Sequence, residues 1–247
     1  MTTELSATSR PERKRQKRQA EFLDAARRLV AADGFEELTM SRLAAELDTV
    51  VSAVYRYFPS KGELLSALQL EALARLEHSL TDLVDRLSAS LEPTLATEDR
   101  ALTVLVGAGR WFCAASESLS NEMRLLQMIM SQRASALDAG GGERSMPAAL
   151  ALLAVAVEVI NDAQAKGALR PGDSVDRAAI WAASISGVLQ TDDLQRFVPQ
   201  VFGGTRLAQL VNLDLIRGWG ADPGRLDAAS ARVDRFAESQ PLAQLVN

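Results

Sequence analysis

The chain has 247 residues, of which 47% are hydrophobic, 24% charged and 5% aromatic, and its formal net charge is −5. That length supports one large or two modest domains with real cores, and the balance of apolar and charged residues excludes a disordered tail protein. The only cysteine, Cys113, cannot close an internal bridge, so a disulfide scaffold is excluded and nothing calls for an oxidising compartment.

Nearly every segment reads as helix. There is no sustained alternation of β-branched and aromatic residues and no Asn-Gly hairpin. Ser9-Arg10-Pro11-Glu12 reads as a capped helix start, and Phe22, Ala25, Ala26, Leu29 and Val30 form its apolar stripe, which Gly34 ends. Residues 10–19 carry six basic side chains (Arg10, Arg13, Lys14, Arg15, Lys17, Arg18) against Glu12. Such a run is either a solvated helix face or an electrostatic footprint on phosphate.

A short helix then starts at Thr39, with Leu38 and Leu43 spaced as a hydrophobic staple around that cap, and stops at Asp48-Thr49. A second short helix spans about Val50 to Tyr57 and is broken by Phe58-Pro59. Ser60-Lys61-Gly62-Glu63 is a capping box that opens a long helix through Leu64, Leu68, Leu73, Leu76 and Leu80. Helix, short helix, tight turn, short helix and capped long helix is the layout of a helix-turn-helix head. The second short helix is too short to be stable alone, which fits a role of offering its outer face to something else.

Beyond a break at Pro93, helices are expected at about 98–118, 121–138, 146–168, 174–191, 205–219 and 225–238. Loops are marked by Gly140-Gly141-Gly142, Pro171-Gly172, Pro199 to Gly204 and Gly220 to Gly224. The longest apolar run, Met146 to Val157, has 12 residues, which is too short to cross a bilayer. The N-terminal residues lack an apolar signal core, so the expectation is a cytoplasmic protein with no membrane partner. The single histidine, His78, follows Arg75 rather than a glutamate at helical spacing, and one histidine with one cysteine supplies neither a catalytic triad nor a zinc or di-iron set. No catalytic residues, metal or cofactor are expected.

The stretch Phe22 to Leu64, FLDAARRLVAADGFEELTMSRLAAELDTVVSAVYRYFPSKGEL, resembles the tetracycline-repressor (TetR) family of bacterial transcription regulators. The elements that match are Gly34-Phe35, Thr39, Leu43-Ala44, Tyr55, Phe58, Lys61 and Leu64, all at the family's spacing. The turn departs from the family's Gly-Val-Ser, being Asp48-Thr49-Val50. Aspartate tolerates the left-handed conformation, and Thr49 is the candidate cap one residue early. The resemblance implies an all-α fold, with a helix-turn-helix DNA-binding head and N-terminal arm over 1–66 and a larger helical ligand-binding and dimerisation domain over 67–247. It implies that Thr39, Tyr55, Tyr57 and Lys61 clamp the DNA backbone. It further implies that Val51, Ser52, Ala53 and Arg56 face the major groove, with Arg42 nearby. Among these only Arg42, Arg56 and Ser52 can hydrogen-bond base edges.

The residues themselves agree. Both tyrosines of the chain, Tyr55 and Tyr57, end the proposed reading helix, and Lys61, one of four lysines against 23 arginines, sits at a helix N-terminus. In the larger domain, helix 174–191 is rich in small residues. Helix 205–219 has two apolar rows, Leu207, Leu210, Leu213 and Val211, Leu215, Trp219, so both helices are candidates for a homodimer contact. Trp111, Phe112, Met123, Met128, Met130 and Trp181, with Gln127 or Asn161 as polar anchors, suit a small-molecule pocket, although aromatic and methionine residues at helical spacing more often form an ordinary core. The function expected is a homodimeric repressor that binds a palindromic double-stranded operator and is released by an apolar or amphipathic effector. The alternatives are an activator or ligand-dependent DNA binder of the same family, an all-α interaction scaffold, or an enzyme.

Overall fold

The computed structural model describes residues 10–35, 37–131, 141–198 and 200–245. They form ten α-helices with no strand among them: α1 Arg10–Asp33, α2 Met40–Glu46, α3 Val51–Tyr55, α4 Lys61–Ser90, α5 Thr97–Ser118, α6 Ser120–Ser131, α7 Gly141–Ala165, α8 Ser174–Leu189, α9 Gly204–Gly218 and α10 Pro223–Ser239. Ser9 and the side chain of Met130 lie outside the described residues. The chain divides into two compact units, and the boundary within α4 falls between Glu71 and Ala72.

The first unit is built on α1 to α3 and the start of α4. Its buried side chains include Phe22, Leu38, Leu43, Val54, Phe58 and Leu64. Gly34 ends α1 with φ +86, and its N–H bonds the Val30 carbonyl at 2.9 Å. Leu23, outside the expected stripe, is buried, whereas Leu29 is only half-buried.

The second unit centres on α5, which is buried along most of its length and packs against α6, α8, α9 and α10. α8 and α10 start on Asp173 and Asp222, whose carboxylates accept from the N–H groups of Val175 and Asp176 and of Arg225. α9 corrects the sequence reading. Its inward face is Ala208, Asn212 and Ile216, while Leu207, Val211, Leu213, Leu215 and Trp219 stay half-buried on either side and Leu210 is exposed. α7 begins at Gly141, inside the glycine triplet read as a loop, and continues through Pro147. Its stretch Ser145–Ala165 is long and apolar enough to cross a membrane by length and composition, although the uninterrupted apolar run within it is short. Leu152, Ala156, Val159, Ile160 and Ala163 of that stretch belong to the unit's core. A 3-10 turn, Asp192–Arg196, occupies the segment before α9.

Candidate nucleic-acid interface and effector cavity

The reading pair of helices is held by local chemistry. The Thr39 hydroxyl caps α2 by accepting from the Arg42 N–H at 3.1 Å, and Leu38 and Leu43 are fully buried as the staple requires. Asp48 takes the left-handed conformation, φ +46, and the turn closes with the Thr49 N–H on the Ala44 carbonyl at 2.9 Å. Thr49 does not cap α3. The cap position is Val50, with no side-chain hydrogen bond, so the first N–H groups of this five-residue helix have no side-chain partner there. Val54 anchors α3, being fully buried, and its carbonyl accepts from the N–H groups of Tyr57 and Phe58. Burying Val54 and Phe58 contributes about 1.5–3 kcal/mol each, which is what keeps so short a helix ordered.

With Val54 inward, the rest of the turn points out. Ser52, Tyr55 and Arg56 are exposed, and Val51 and Ala53 half-buried. Val50, absent from the expected set, is 67% exposed beside them. Its place at the cap is the only sequence signal that would have found it. Tyr57 is half-buried, its ring tilted against Phe22 at 5.2 Å, with the Arg18 guanidinium over the other part of that aromatic pair, 5.0 Å from the Phe22 centroid. Its ring therefore packs α3 against α1. Lys61 is exposed as the first residue of α4, where the Ser60 hydroxyl accepts from the Glu63 N–H at 3.1 Å. The basic run folds as the first turns of α1. There Lys14, Arg15, Lys17 and Arg18 line one groove with Arg56 and Tyr57. Arg42 is the exception among the expected DNA contacts. Its two terminal nitrogens already donate, to Asp33 at 2.5 Å and to Glu37 at 2.9 Å.

In the second unit a cavity of about 240 Å³ lies among α5, α6, α7 and α8. Its walls are almost wholly apolar, from Phe112 and Leu126 to Leu152, Leu153 and Ala182, with Ser186 the one hydroxyl. Of the expected pocket residues whose side chains are described, only Phe112 is among those lining it. Trp111 and Trp181 are fully buried instead, with their indole N–H groups donating to Ser79 at 3.1 Å and Asn212 at 2.9 Å. Met123 is buried, Gln127 and Met128 are half-buried, and none of the three lines the cavity. Asn161 is exposed and accepts from the Ser174 hydroxyl. A second, more polar cleft of about 330 Å³ runs among α4, α5 and α7. Its cations are engaged: Arg100 donates to the carbonyls of Ser88, Leu91 and Glu92, and Lys166 to Asp162. Cys113 is buried, and burial, followed by the charge of Glu117, pushes its thiol up to about 11.

Comparison with known proteins places this geometry. The family model described as bacterial regulatory proteins, tetR family, matches residues 22–68, which hold α2, α3 and their supports. The HTH-type transcriptional repressor DrrR1 of Streptomyces coeruleorubidus is 44% identical over 63 residues, 26% of this chain and 23% of that protein. The chain thus matches less than a third of the length of the curated relatives. Among solved structures, SmeT, the repressor of the Stenotrophomonas maltophilia multidrug efflux pump SmeDEF, aligns with a TM-score of 0.55 at 18% identity, covering 84% of this chain and 92% of that one. RolR in complex with resorcinol aligns with a TM-score of 0.56 at 16% identity, covering 95% and 99%. These two likenesses show a shared fold that extends beyond the head. The family's model thus lies on the helix-turn-helix of the head, residues 22–68, and the remaining helices follow a fold shared with SmeT and RolR.

Proposed function

We propose that the chain is a homodimeric transcriptional repressor, not an enzyme, that binds a palindromic DNA operator and leaves it when a small apolar or amphipathic molecule binds. The observation that carries the DNA reading is the outward set Val50, Ser52, Tyr55 and Arg56 on a helix that exists only by virtue of Val54 and Phe58 behind it. In this reading Ser52, Val51, Ala53 and Arg56 meet base edges, and Thr39, Tyr55 and Lys61 hold phosphates. The Thr39 oxygen accepts from the backbone, which leaves its O–H to donate. Tyr57 serves the interface through its ring, and the basic groove along α1 tracks the backbone. The head and the larger domain divide near residue 66.

The dimer reading rests on the outer faces of α8 and α9, where Val175, Ile180 and Leu210 are about half exposed and the small residues Ala179, Ala183 and Gly187 allow close approach. A two-fold dimer presents two α3 helices to half-sites about 34–36 Å apart. The effector reading rests on the apolar cavity beside Phe112, and RolR, of the same fold, was solved with resorcinol. An effector acts by binding the DNA-incompetent state more tightly, and a tenfold loss of operator affinity needs about 1.4 kcal/mol of such preference. α7 is read as a wall of that cavity and of the core, not as a membrane span.

The test is selection of duplexes from a random pool by the purified protein, followed by sedimentation of the complex. A palindromic winner bound by two chains, with affinity falling steeply with salt, is the expected result. A monomer at micromolar concentration on and off DNA overturns the dimer, and binding that ignores salt overturns the DNA interface.

A further inference from the structure

We propose that Asp33 and Glu37 are specificity-determining positioning residues, which hold the Arg42 guanidinium as a base reader and withhold it from phosphate. The inference rests on the DNA-binding reading of the head.

Arg42 stands in the first turn of α2, where the Thr39 cap holds its backbone N–H and so fixes the root of the side chain. Helical side chains lean toward the N-terminus of their helix. That lean carries the guanidinium back to the end of α1 and the loop after it, where the two carboxylates wait. One terminal nitrogen donates to Asp33 at 2.5 Å and the other to Glu37 at 2.9 Å. The three residues come from α1, the connecting loop and α2, so the contact is built by the fold of the head rather than by helical spacing.

A pair of exposed ion contacts adds little to stability. Its consequence here is directional and electrostatic. A guanidinium has five N–H donors, and two are committed, which leaves three. Guanine asks for two, at O6 and N7, both uncharged acceptors. Arg42 can therefore satisfy a guanine without releasing either carboxylate, and it meets the base with its rotamers already restricted. Phosphate is a different case. Two carboxylates against one guanidinium leave this spot acidic, so an approaching phosphate is repelled unless a carboxylate lets go. Lys61, exposed and without an ion pair among the described residues, keeps its charge for the backbone. The head thereby contains two kinds of cation, one open to any sequence and one reserved for a base.

The test compares the duplex that the wild-type protein enriches from a random pool with a mixed-sequence duplex of the same length. The Asp33→Asn/Glu37→Gln variant is expected to lose at least tenfold in discrimination. Its affinity for mixed-sequence DNA rises, and its salt slope steepens by about one unit as Arg42 turns to phosphate. Arg42→Lys, which keeps the charge and loses the fork, is expected to lose discrimination too. Circular dichroism of each variant checks that the exposed substitutions leave the fold intact. If specific and mixed-sequence affinities rise by the same factor, the carboxylates only repel DNA and the proposal is overturned. Unchanged discrimination in both variants overturns it as well. A wild-type protein that enriches no sequence overturns the DNA-binding reading itself, an outcome distinct from either of these.

Discussion

Gly109 is the most severe test of the packing described for the second unit. A Cβ built on it would lie 2.0 Å from the Asn212 Oδ1 and 2.5 Å from its Nδ2. No carbon and oxygen approach so closely, so Gly109→Ala must displace the Asn212 side chain. That side chain, 1% exposed, accepts from the Trp181 indole at 2.9 Å and donates to the Val106 carbonyl at 3.2 Å. Displacing it orphans two buried groups, at a cost of about 1–3 kcal/mol each. Against this stands a gain of about 1 kcal/mol from replacing glycine with alanine inside a helix. The expected net loss is about 1–5 kcal/mol, which for a chain of this size lowers the melting temperature by roughly 2–20 °C. Urea denaturation followed by near-ultraviolet circular dichroism, with calorimetry, measures it. The double variant Gly109→Ala/Asn212→Ala removes the collision, so its loss is expected to fall short of the sum of the two single losses. A Gly109→Ala protein within about 0.5 kcal/mol of wild type would falsify the packing argument.

Three further outcomes follow from the site. Tyr55→Phe and Lys61→Ala are expected to weaken binding to every duplex alike, with the lysine change flattening the salt slope by about one unit; a loss confined to one sequence assigns them to base reading instead. Arg56→Ala is expected to cost about 1–3 kcal/mol at one base pair per half-site, measured on operators substituted one position at a time. Cys113, with its thiol at about 11, is protonated at pH 8, so alkylation is expected to be slow in the folded protein and fast in urea; rapid labelling without denaturant refutes the burial.

The head was legible in the sequence because its signals are local. The Thr39 cap, the Leu38–Leu43 staple, the Ser60 cap and the tolerance of Asp48 for a left-handed turn all act within a few residues of themselves, and each is found in place. What escaped depends on distant partners. Asn212 reads as a polar break between two apolar rows of α9, yet it is buried because Trp181 and Val106 each bring it a hydrogen bond. Trp111 and Trp181 suit a pocket or a core by size alone, and the presence of Ser79 and Asn212 beside their indole nitrogens decides for the core. The cavity is lined mainly by alanines and leucines, which carry no chemical signature; their convergence from four helices is visible only in three dimensions. Arg42 was visible as a candidate, but its two carboxylates come from other elements and have no fixed spacing to announce them.

Phe112 has an optical consequence. It lies edge-on to Trp111 and Trp181, at 5.2 and 6.1 Å between ring centroids, and it also lines the cavity. The third tryptophan, Trp219, sits half-buried beneath the Arg177 guanidinium. Intrinsic fluorescence excited at the red edge of the indole band is therefore expected to contain two shielded emitters in contact with the cavity wall through one ring, and one half-shielded emitter beside a cation. If an effector occupies that cavity as proposed, it is expected to shift Phe112 and change the lifetimes of the first two while leaving the third unaltered. Trp111 and Trp181 would then report occupancy without a label, with Trp219 as an internal reference in the same chain.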